Sequence, residues 1–298
     1  MIQDLSYPQN EPHLQSVNAG INSNNFHTEW GTFNIAAATI LTLPQGCVAA
    51  MFNITAAYWL TLTHPEQQHS LCVFWKDKVY VDRAVMFGLS SSAGVFGSIA
   101  DMLIAIYRAA GFGIVIKWVD DFLAIRLPGQ SWLENDFITL TGSIRVPWST
   151  EKTRLFSIIQ RYISFNWDLN QRSISLPDGK LIAIKVLLDS WLTPHSKYSA
   201  RCALSLHGKL VHISCIFPLI RPFLRSLSHF AGNFNSPIAK LHPPHPVVAD
   251  LEWIHQILYN VPNTIPLSSP EPIDINWWGD ASTSFGVGLA IGDRKSVV

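Results

Sequence analysis

The spacing of apolar and polar residues along the chain predicts an α+β fold. A continuous apolar run over 48–54 indicates a buried strand, and an alanine- and isoleucine-rich run over 90–110 indicates a helix that stops at Gly111. Two apolar runs over 114–126 flank a pair of aspartates, which is typical of a β-hairpin. The remaining predicted elements are a helix over 33–43, a hairpin over 71–80, a hairpin built from 162–169 and 172–176, helices within 180–230, a linker over 241–248, a helix over 249–260 and a strand pair over 275–291.

Charge is sparse and unevenly placed along the sequence. Of the 298 residues 48% are hydrophobic and 14% are charged, which excludes intrinsic disorder. The net charge is zero, yet no Lys or Arg precedes Lys76, and no Asp or Glu lies between Asp189 and Asp250. A solvated basic face is the simpler interpretation of this acid-free interval, but a nucleic-acid backbone responds to such a local field. The interval contains six histidines and the basic residues Lys197, Arg201, Lys209, Arg221, Arg225 and Lys240.

The cysteines and the uncharged segment 30–65 indicate where in the cell the protein is expected and whether it contacts a membrane. The four cysteines form no C-x-x-C pair and no cleavable basic leader is recognisable, so an intracellular protein, cytoplasmic or nuclear, is expected. The uncharged segment is long enough for a membrane span, but Pro44, Gln45, Gly46 and Asn53 interrupt it. A protein without membrane contact is therefore favoured, with an integral membrane protein as the weaker alternative.

One set of residues in the C-terminal half has the side chains of a zinc site. It comprises Cys202, His207, His212 and Cys215, whose spacing fits no zinc finger or knuckle. The same segment carries the apolar stripe of an amphipathic helix. We therefore interpret these residues as helix positions rather than as metal ligands.

Asp120 and Asp121 are the most informative residues of the sequence. Two adjacent carboxylates between apolar β runs are costly to bury without partners. At the tip of a hairpin they can instead bind Mg²⁺ (or Mn²⁺), which takes one or two carboxylates together with substrate phosphates. Two such ions stabilise the attacking and leaving oxygens of a phosphoryl transfer. Taken alone, the pair also fits an aspartate-rich turn without a chemical role.

Four segments together resemble the reverse transcriptases of retroelements. They are MFNITAAY at 51–58, FGLSSSAGVF at 87–96, WVDDF at 118–122 and RYISFNWDL at 161–169. Their order and spacing match that family, and the N-terminal segments MIQDLSYP and SVNAGI resemble its fingers. Over roughly residues 1–290 the chain resembles fungal retrotransposon polyproteins, among them those of the tyrosine-recombinase group.

The resemblance implies a right-hand polymerase fold with a palm, partial fingers, a helical thumb or connection, and a truncated RNase H-like C-terminal piece. It implies RNA-directed DNA polymerase activity by two-metal nucleotidyl transfer with Mg²⁺ or Mn²⁺. The implied partners are an RNA or DNA primer–template, dNTPs and other parts of a retroelement polyprotein. The expected domains are fingers and palm at 1–178, thumb or connection at 179–245, a helix and linker at 246–270, and an incomplete RNase H-like segment at 271–298.

The resemblance also assigns roles to single residues. Asp120 corresponds to the essential metal ligand, Asp121 to its partner, and Tyr58 to the residue that stacks beneath the incoming sugar and excludes a ribose 2′-hydroxyl. Lys152, within VPWSTEKT, corresponds to a lysine near the leaving pyrophosphate, where a point charge is suitable. Further substrate contacts are expected from Gly88, Leu89 and Ser91, and nucleic-acid contacts from Tyr162, Trp167, Lys209, Arg221 and Arg225.

Asn53 stands where this family has the first palm aspartate. An amide in place of a carboxylate removes one negative charge that would face two dications, and catalysis of this kind depends mostly on positioning and electrostatics. We hypothesise that nucleotidyl transfer in this copy is weak or lost while the fold is preserved. The alternative is a catalytically dead nucleic-acid-binding relic, which would bind template in a salt-dependent manner without extending a primer.

Both ends of the sequence depart from the family pattern. The segment WWGDASTSFGVGLAIG at 277–292 resembles the opening strand pair of an RNase H domain, with Asp280 as its first metal ligand. RNase H chemistry needs acidic residues from later elements, and GDRKSVV is not expected to continue the strand pattern. RNase H activity is therefore not expected. The first 30 residues are predicted to be irregular, and a fragment of a larger polyprotein or a decayed element is expected.

Overall fold

The computed structural model describes residues 4–8, 13–236, 238–268, 276–282, 286–291 and 294–297. Its helices are α1 (Phe33–Thr42), α2 (Ser92–Ala109), α3 (Glu134–Leu140), α4 (Asp178–Leu192), α5 (Ala200–Ile213), α6 (Arg225–Gly232) and α7 (His245–Asn260). Its strands are β1 (Val48–Asn53), β2 (Cys72–Trp75), β3 (Lys78–Val81), β4 (Ile114–Trp118), β5 (Asp121–Arg126), β6 (Arg154–Ser157), β7 (Ile159–Tyr162), β8 (Phe165–Asp168), β9 (Ser173–Ser175), β10 (Thr264–Pro266), β11 (Trp277–Ser282), β12 (Gly286–Ile291) and β13 (Arg294–Val297). The fold is thus a mixture of helices and antiparallel sheets, as the sequence predicts.

A four-stranded antiparallel sheet in the order β4-β5-β1-β6 forms the centre of the fold. Its two middle strands pair along their whole length, from Val48 opposite Arg126 to Asn53 opposite Asp121. Both faces of β1 and β5 are buried, so these strands read in the sequence as continuous apolar runs rather than as alternating ones. This pairing brings the end of β1 beside the start of β5.

The two faces of the central sheet enter two hydrophobic cores. On one face Phe52 and Phe122 pack with α2 and α3, where Phe96 and Phe137 are fully buried. Phe52 and Phe137 stack with their ring centroids 4.0 Å apart. The other face joins the second sheet and the C-terminal helices in a larger core, which includes Met51, Leu123, Trp167, Leu188, Leu206 and Ile254.

The remaining strands form three smaller sheets. The order β10-β9-β8-β7 gives a second antiparallel sheet, β2 pairs with β3 alone, and β11-β12-β13 form a C-terminal sheet. The β2–β3 hairpin exposes large apolar side chains to solvent, such as Phe74 and Val79. Helices α4 to α7, which follow strand β9 along the chain, pack against one another.

The segment 26–31 lies across helix α2 at two glycines. A Cβ atom added at Gly94 would collide with the backbone carbonyl oxygen of Phe26. One added at Gly97 would collide with the side chain of Thr28. Glycine at these two positions therefore permits the close backbone approach that holds the segment on the helix.

Lys117 on β4 is buried beneath this segment, with 2% of its surface exposed. Its ammonium donates hydrogen bonds to Thr28 Oγ1 (2.8 Å) and to the Gly97 carbonyl (2.7 Å), and it pairs with Asp101. Burial lowers the pKa of Lys117, and the hydrogen bond and charge of Asp101 oppose that shift. The buried cation thus joins the segment 26–31, α2 and β4.

Several sequence predictions need correction. The expected linker over 241–248 is shorter, because α7 already begins at His245; Pro246 lies in its first turn, where a missing N–H costs no helical hydrogen bond. The expectation that GDRKSVV ends the strand pattern is wrong, since Arg294–Val297 pairs with β12. The strand Ile159–Tyr162 was not predicted, and neither were α3 and β6. The other predicted helices and strands are confirmed within a few residues.

The uncharged segment 30–65 divides between two elements of the fold. It forms the ten-residue helix α1 and the central strand β1, followed by a 3₁₀ turn at Ala57–Leu60. Among the described residues, one helix has the length and hydropathy of a membrane span, α2, and 39% of it is buried inside the protein. The segment on which the membrane alternative depended therefore holds no helix of spanning length.

Candidate active site

The tip of the β4–β5 hairpin carries the aspartate pair. Trp118 ends β4, Asp121 begins β5, and the turn between them passes through Val119 at φ +52°. A β-branched residue rarely adopts this left-handed conformation, and such strain is concentrated at functional sites. The turn is held by the Ile54 amide, which donates to the Asp120 carbonyl at 2.9 Å.

Asn53 lies between the two carboxylates. Its Nδ2 donates to Asp120 Oδ2 at 2.7 Å and to Asp121 Oδ1 at 2.8 Å. The side chain is 5% exposed, and its Oδ1 is buried without a hydrogen-bond partner among the described residues. The amide therefore satisfies both acids, while its own carbonyl oxygen is left unsatisfied.

Burial raises the pKa of Asp121, and the neighbouring charge of Asp120 raises it further. The hydrogen bond from Asn53 and the charges of Lys152 and Arg154 lower that pKa and partly offset the effect. The folded protein thus disfavours the ionised form of Asp121. A perturbed carboxylate beside an open cleft is a feature of functional sites.

An open cleft of about 580 Å³ lies at Asp121. Asn53 and Asp121 line it together with Glu151 and three basic residues, Lys152, Arg154 and Arg161. A neighbouring cavity of about 460 Å³ shares Lys152 and reaches Asp120. Sequence reasoning identified Lys152 but missed both arginines, because their approach to β1 depends on the pairing of β6 and on the β7 strand, neither of which was predicted.

Tyr58 lies close to Asp120. Its ring contacts Phe87 and Phe96, with centroid distances of 5.0 Å and 6.0 Å. Burial and the charge of Asp120 raise the pKa of the Tyr58 hydroxyl. Tyr58, Phe87, Val119 and Asp120 line a cavity of about 160 Å³. The predicted sugar-facing residue and the predicted metal ligand therefore share one pocket.

The structure places Gly88, Leu89 and Ser91 in the turn before α2. Gly88 adopts φ +97°, and its carbonyl accepts a hydrogen bond from Asn18 Nδ2 at 2.8 Å. Leu89 and Ser91 line a separate cavity of about 270 Å³ against the N-terminal residues. Within this turn it is the preceding residue, Phe87, that lines the cavity beside Asp120. Sequence reasoning did not single out Phe87.

Tyr162 and Trp167, which were expected to contact nucleic acid, are core residues. Their exposed fractions are 1% and 0%. The Tyr162 hydroxyl donates to the Gly31 carbonyl at 2.8 Å, and the Trp167 indole donates to the Tyr162 carbonyl at 2.9 Å. Burial raises the pKa of Tyr162. This corrects the expectation for the two rings, and it leaves the β7–β8 turn, Ile163 and Ser164, as the part of the hairpin that lines the cleft.

The expected basic contacts lie on the C-terminal helical region. Lys209 is exposed on α5, Arg221 is exposed in the 3₁₀ turn Pro218–Leu224, and Arg225 is exposed at the start of α6. They are available to an external anion. The side chain of Asp280, the expected RNase H ligand, lies outside the described side chains, and its backbone pairs with Gly288 in the C-terminal sheet.

The carboxylates of Asp120 and Asp121 are the groups of this site that could hold a divalent cation. Mg²⁺ takes oxygen ligands, whereas Asn53 presents its NH₂ group to both carboxylates. Rotation of the amide by about 180° would present the unsatisfied Oδ1 instead and give a set of two carboxylates and one neutral oxygen. Elsewhere, no cluster of three or more His, Cys, Asp or Glu side chains in the described part of the chain could hold a metal ion.

Comparison with known proteins supports the fold. No protein-family model and no curated protein sequence matches the chain. Solved structures of foamy viral protease–reverse transcriptase match it. The complex with an RNA/DNA hybrid has a TM-score of 0.55 and 13% sequence identity over 76% of this chain. Two complexes with double-stranded DNA have TM-scores of 0.53 and 0.50, with 14% and 13% identity over 84% and 88% of this chain. The chain spans 29%, 40% and 52% of those proteins' lengths. At this identity the likeness shows a fold similar to that of reverse transcriptases.

Proposed function

We propose that this chain is the reverse-transcriptase domain of a retroelement, and that it binds a primer–template with dNTPs and performs slow nucleotidyl transfer. The observation that carries the proposal is that Asp121 and Lys152 line the open cleft, while Asp120 shares one neighbouring cavity with Lys152 and another with Tyr58. The likeness in fold to proteins solved with RNA/DNA hybrid and double-stranded DNA supports nucleic acid as the ligand. A fungal retrotransposon of the tyrosine-recombinase group is the proposed source.

The proposal assigns regions of the chain to the parts of such a polymerase. Residues 1–178 would form fingers and palm, 179–245 the thumb or connection, 246–270 a helix and linker, and 271–298 the start of an RNase H-like domain. The central sheet with the acid pair then corresponds to the palm, and the exposed basic residues of α5 and α6 lie on the thumb side.

Asp120 and Asp121 would hold Mg²⁺ or Mn²⁺, with the Asn53 carbonyl as a neutral third ligand after rotation. When bound, the metal would neutralise charge on the transferred phosphate. The protein's own contribution is positioning: Tyr58 shapes the pocket beside Asp120, and Lys152 supplies a positive charge where it lines both the cleft and the neighbouring 460 Å³ cavity. Lys152 lies in the loop that the Ser149 amide fastens to the Asn53 carbonyl at 2.8 Å.

Asn53 limits this chemistry in two ways. It contributes no negative charge, and its NH₂ group already satisfies the two carboxylates that a cation would need. The second candidate function, a nucleic-acid-binding relic without catalysis, is favoured by the same hydrogen bonds. The two functions share a binding surface and differ in whether a primer is extended.

Primer extension tests the proposal and separates it from the relic. The purified chain, its Asn53→Asp variant and the double variant Asn53→Asp/Asp120→Asn are compared on RNA and DNA templates with Mg²⁺ or Mn²⁺. We expect slow extension by the natural chain, at least 100-fold faster extension by Asn53→Asp, and none by the double variant. Equal, robust activity of the natural chain and Asn53→Asp would contradict the role given to Asn53.

Binding of the same primer–template gives the second readout. Fluorescence anisotropy at several salt concentrations should show an affinity that falls linearly with salt on logarithmic axes. If the natural chain and Asn53→Asp both bind the primer–template but neither extends the primer, the protein is the nucleic-acid-binding relic. Absence of both binding and extension overturns the proposed function.

A further inference from the structure

His212 and Lys180 form an unusual pair beside the cleft. Lys180 on α4 places its Nζ 3.3 Å from Nε2 and 3.5 Å from Nδ1 of His212 on α5. The imidazole also stacks on Phe165 of β8 with ring centroids 4.4 Å apart, and Lys180 Nζ lies 5.8 Å from the centre of the same ring. Two groups that can both be positive are thus held together on one aromatic face.

The surroundings of this pair are cationic. The positive charge of Arg161 on β7 lowers the pKa of Lys180, and Arg161 also lines the cleft that contains Asp121. Within the described ranges, no Asp or Glu lies within salt-bridge distance of Lys180, His212 or Arg161. One turn from His212 on α5 lies the exposed Lys209, and two residues before Lys180 on α4 lies the exposed Asp178. Like charges gathered without a counterion indicate a site that an external anion completes.

The electrostatics of the free protein agree with this interpretation. Burial lowers the pKa of His212, the charge of Lys180 lowers it further, and a hydrogen bond with the backbone of Ile163 partly opposes both. Burial also lowers the pKa of Lys180, and so does the charge of Arg161. An anion placed between these groups would favour the charged form of each. His212 then takes up a proton as the anion binds.

We propose that Lys180, His212 and Arg161 form a proton-linked site for one phosphodiester group of bound nucleic acid. The site lies where the β7–β8 turn meets α4 and α5. Ile163 and Ser164 of that turn line the same cleft as Arg161, so the site adjoins the cleft. The identity of the ligand rests on the proposed function, because the chemistry itself selects any phosphate. The consequence is that nucleic acid binds more tightly as the pH falls.

Anisotropy of a labelled RNA/DNA hybrid between pH 5.5 and 8, at constant ionic strength and without divalent metal, tests the site. One proton taken up on binding changes affinity by up to about tenfold per pH unit. The variant His212→Phe keeps a ring on Phe165 but cannot titrate, so we expect a flatter pH dependence and nearly unchanged affinity at pH 8. Lys180→Met should weaken binding at every pH and reduce the slope of the salt dependence by about one charge.

His229→Phe is the matched control, since His229 is exposed on α6 in the same acid-free tract. It should retain the natural pH dependence, and circular dichroism of all variants checks that they fold. An unchanged pH dependence in His212→Phe, or an unchanged salt slope in Lys180→Met, overturns the inference while leaving nucleic-acid binding in place.

A second measurement decides the inference even if the hybrid does not bind, which would overturn the proposed function itself. The imidazole resonances of the whole chain are titrated by NMR with and without inorganic phosphate, and His212 is assigned by its loss in His212→Phe. A His212 pKa that rises with phosphate supports an anion site for any phosphate source. A His212 pKa that phosphate leaves unchanged overturns it.

Discussion

Replacement of Asn53 by aspartate should destabilise the free protein and make its stability depend on metal. The substitution removes the amide that donates to Asp120 at 2.7 Å and to Asp121 at 2.8 Å. A hydrogen bond to a charged group contributes about 1.5–3 kcal/mol. The variant would also place a third carboxylate at a position that is 5% exposed. Because the two acceptors are partly solvated, we expect a loss near the lower limit, about 3 kcal/mol in total.

Thermal unfolding followed by circular dichroism measures this loss. In a chain of this size about 3 kcal/mol corresponds to a decrease in Tm of roughly 6–12 °C. We expect that decrease at pH 7 with EDTA, and a smaller one at acidic pH, where the added carboxyl is protonated and can donate again. Millimolar Mg²⁺ should recover much of the loss, since binding to the folded state alone stabilises it.

The matched control for this experiment is Asn135→Asp, an exposed amide in the first turn of α3, where a negative charge is tolerated. Its Tm should change little with or without Mg²⁺. An Asn53→Asp protein that is as stable as the natural chain in EDTA would refute the hydrogen bonds assigned to the amide. A loss that Mg²⁺ does not reverse would refute the inference that these three side chains can gather a cation.

Two further substitutions test other parts of the structure. Gly94→Ala should lower the free energy of unfolding by about 1–3 kcal/mol in urea titrations, because its methyl group would meet the Phe26 carbonyl; Gly142→Ala, with open space around it, should have little effect. Asp121→Asn should raise the Tm at neutral pH, because burial raises the pKa of Asp121 and the natural chain loses stability as the pH rises through that pKa. The gain should vanish in melts below the ordinary carboxylate pKa of 3.8, where Asp121 is protonated in both states, and a gain that persists there would contradict the reasoning.

The central sheet was predictable because its burial is reflected directly in the sequence. Strands β1 and β5 are covered on both faces, so their residues are apolar without interruption. The strand β7 was missed for the opposite reason: Ile159 is 54% exposed, whereas Gln160 is 4% exposed and donates to the Ala49 carbonyl at 2.8 Å. A strand whose polar residue is inside and whose apolar residue is outside cannot be recognised by its pattern.

Some residues of the candidate site could likewise be predicted from the sequence, and others could not. Asp120, Asp121 and Tyr58 could be named as candidates from the sequence because motif spacing fixes their neighbourhood along the chain. Arg154 and Arg161 were missed because they reach the cleft only through tertiary pairing of β6 and β7 with the rest of the fold. The motif that contains Tyr162 also gave no indication of which side its ring faces, and the ring proved to be in the core.

The attachment of segment 26–31 has a consequence for biosynthesis. Lys117 binds Thr28 across 89 residues, and Tyr162 binds Gly31 across 131 residues. At about 5–20 residues per second, a ribosome needs roughly 4–18 s to make the chain from Thr28 to Lys117 and roughly 7–26 s to make the chain from Gly31 to Tyr162. Until then the segment lacks first Lys117 and later the second sheet on which to dock. Segment 26–31 is therefore synthesised well before the parts of the chain on which it packs.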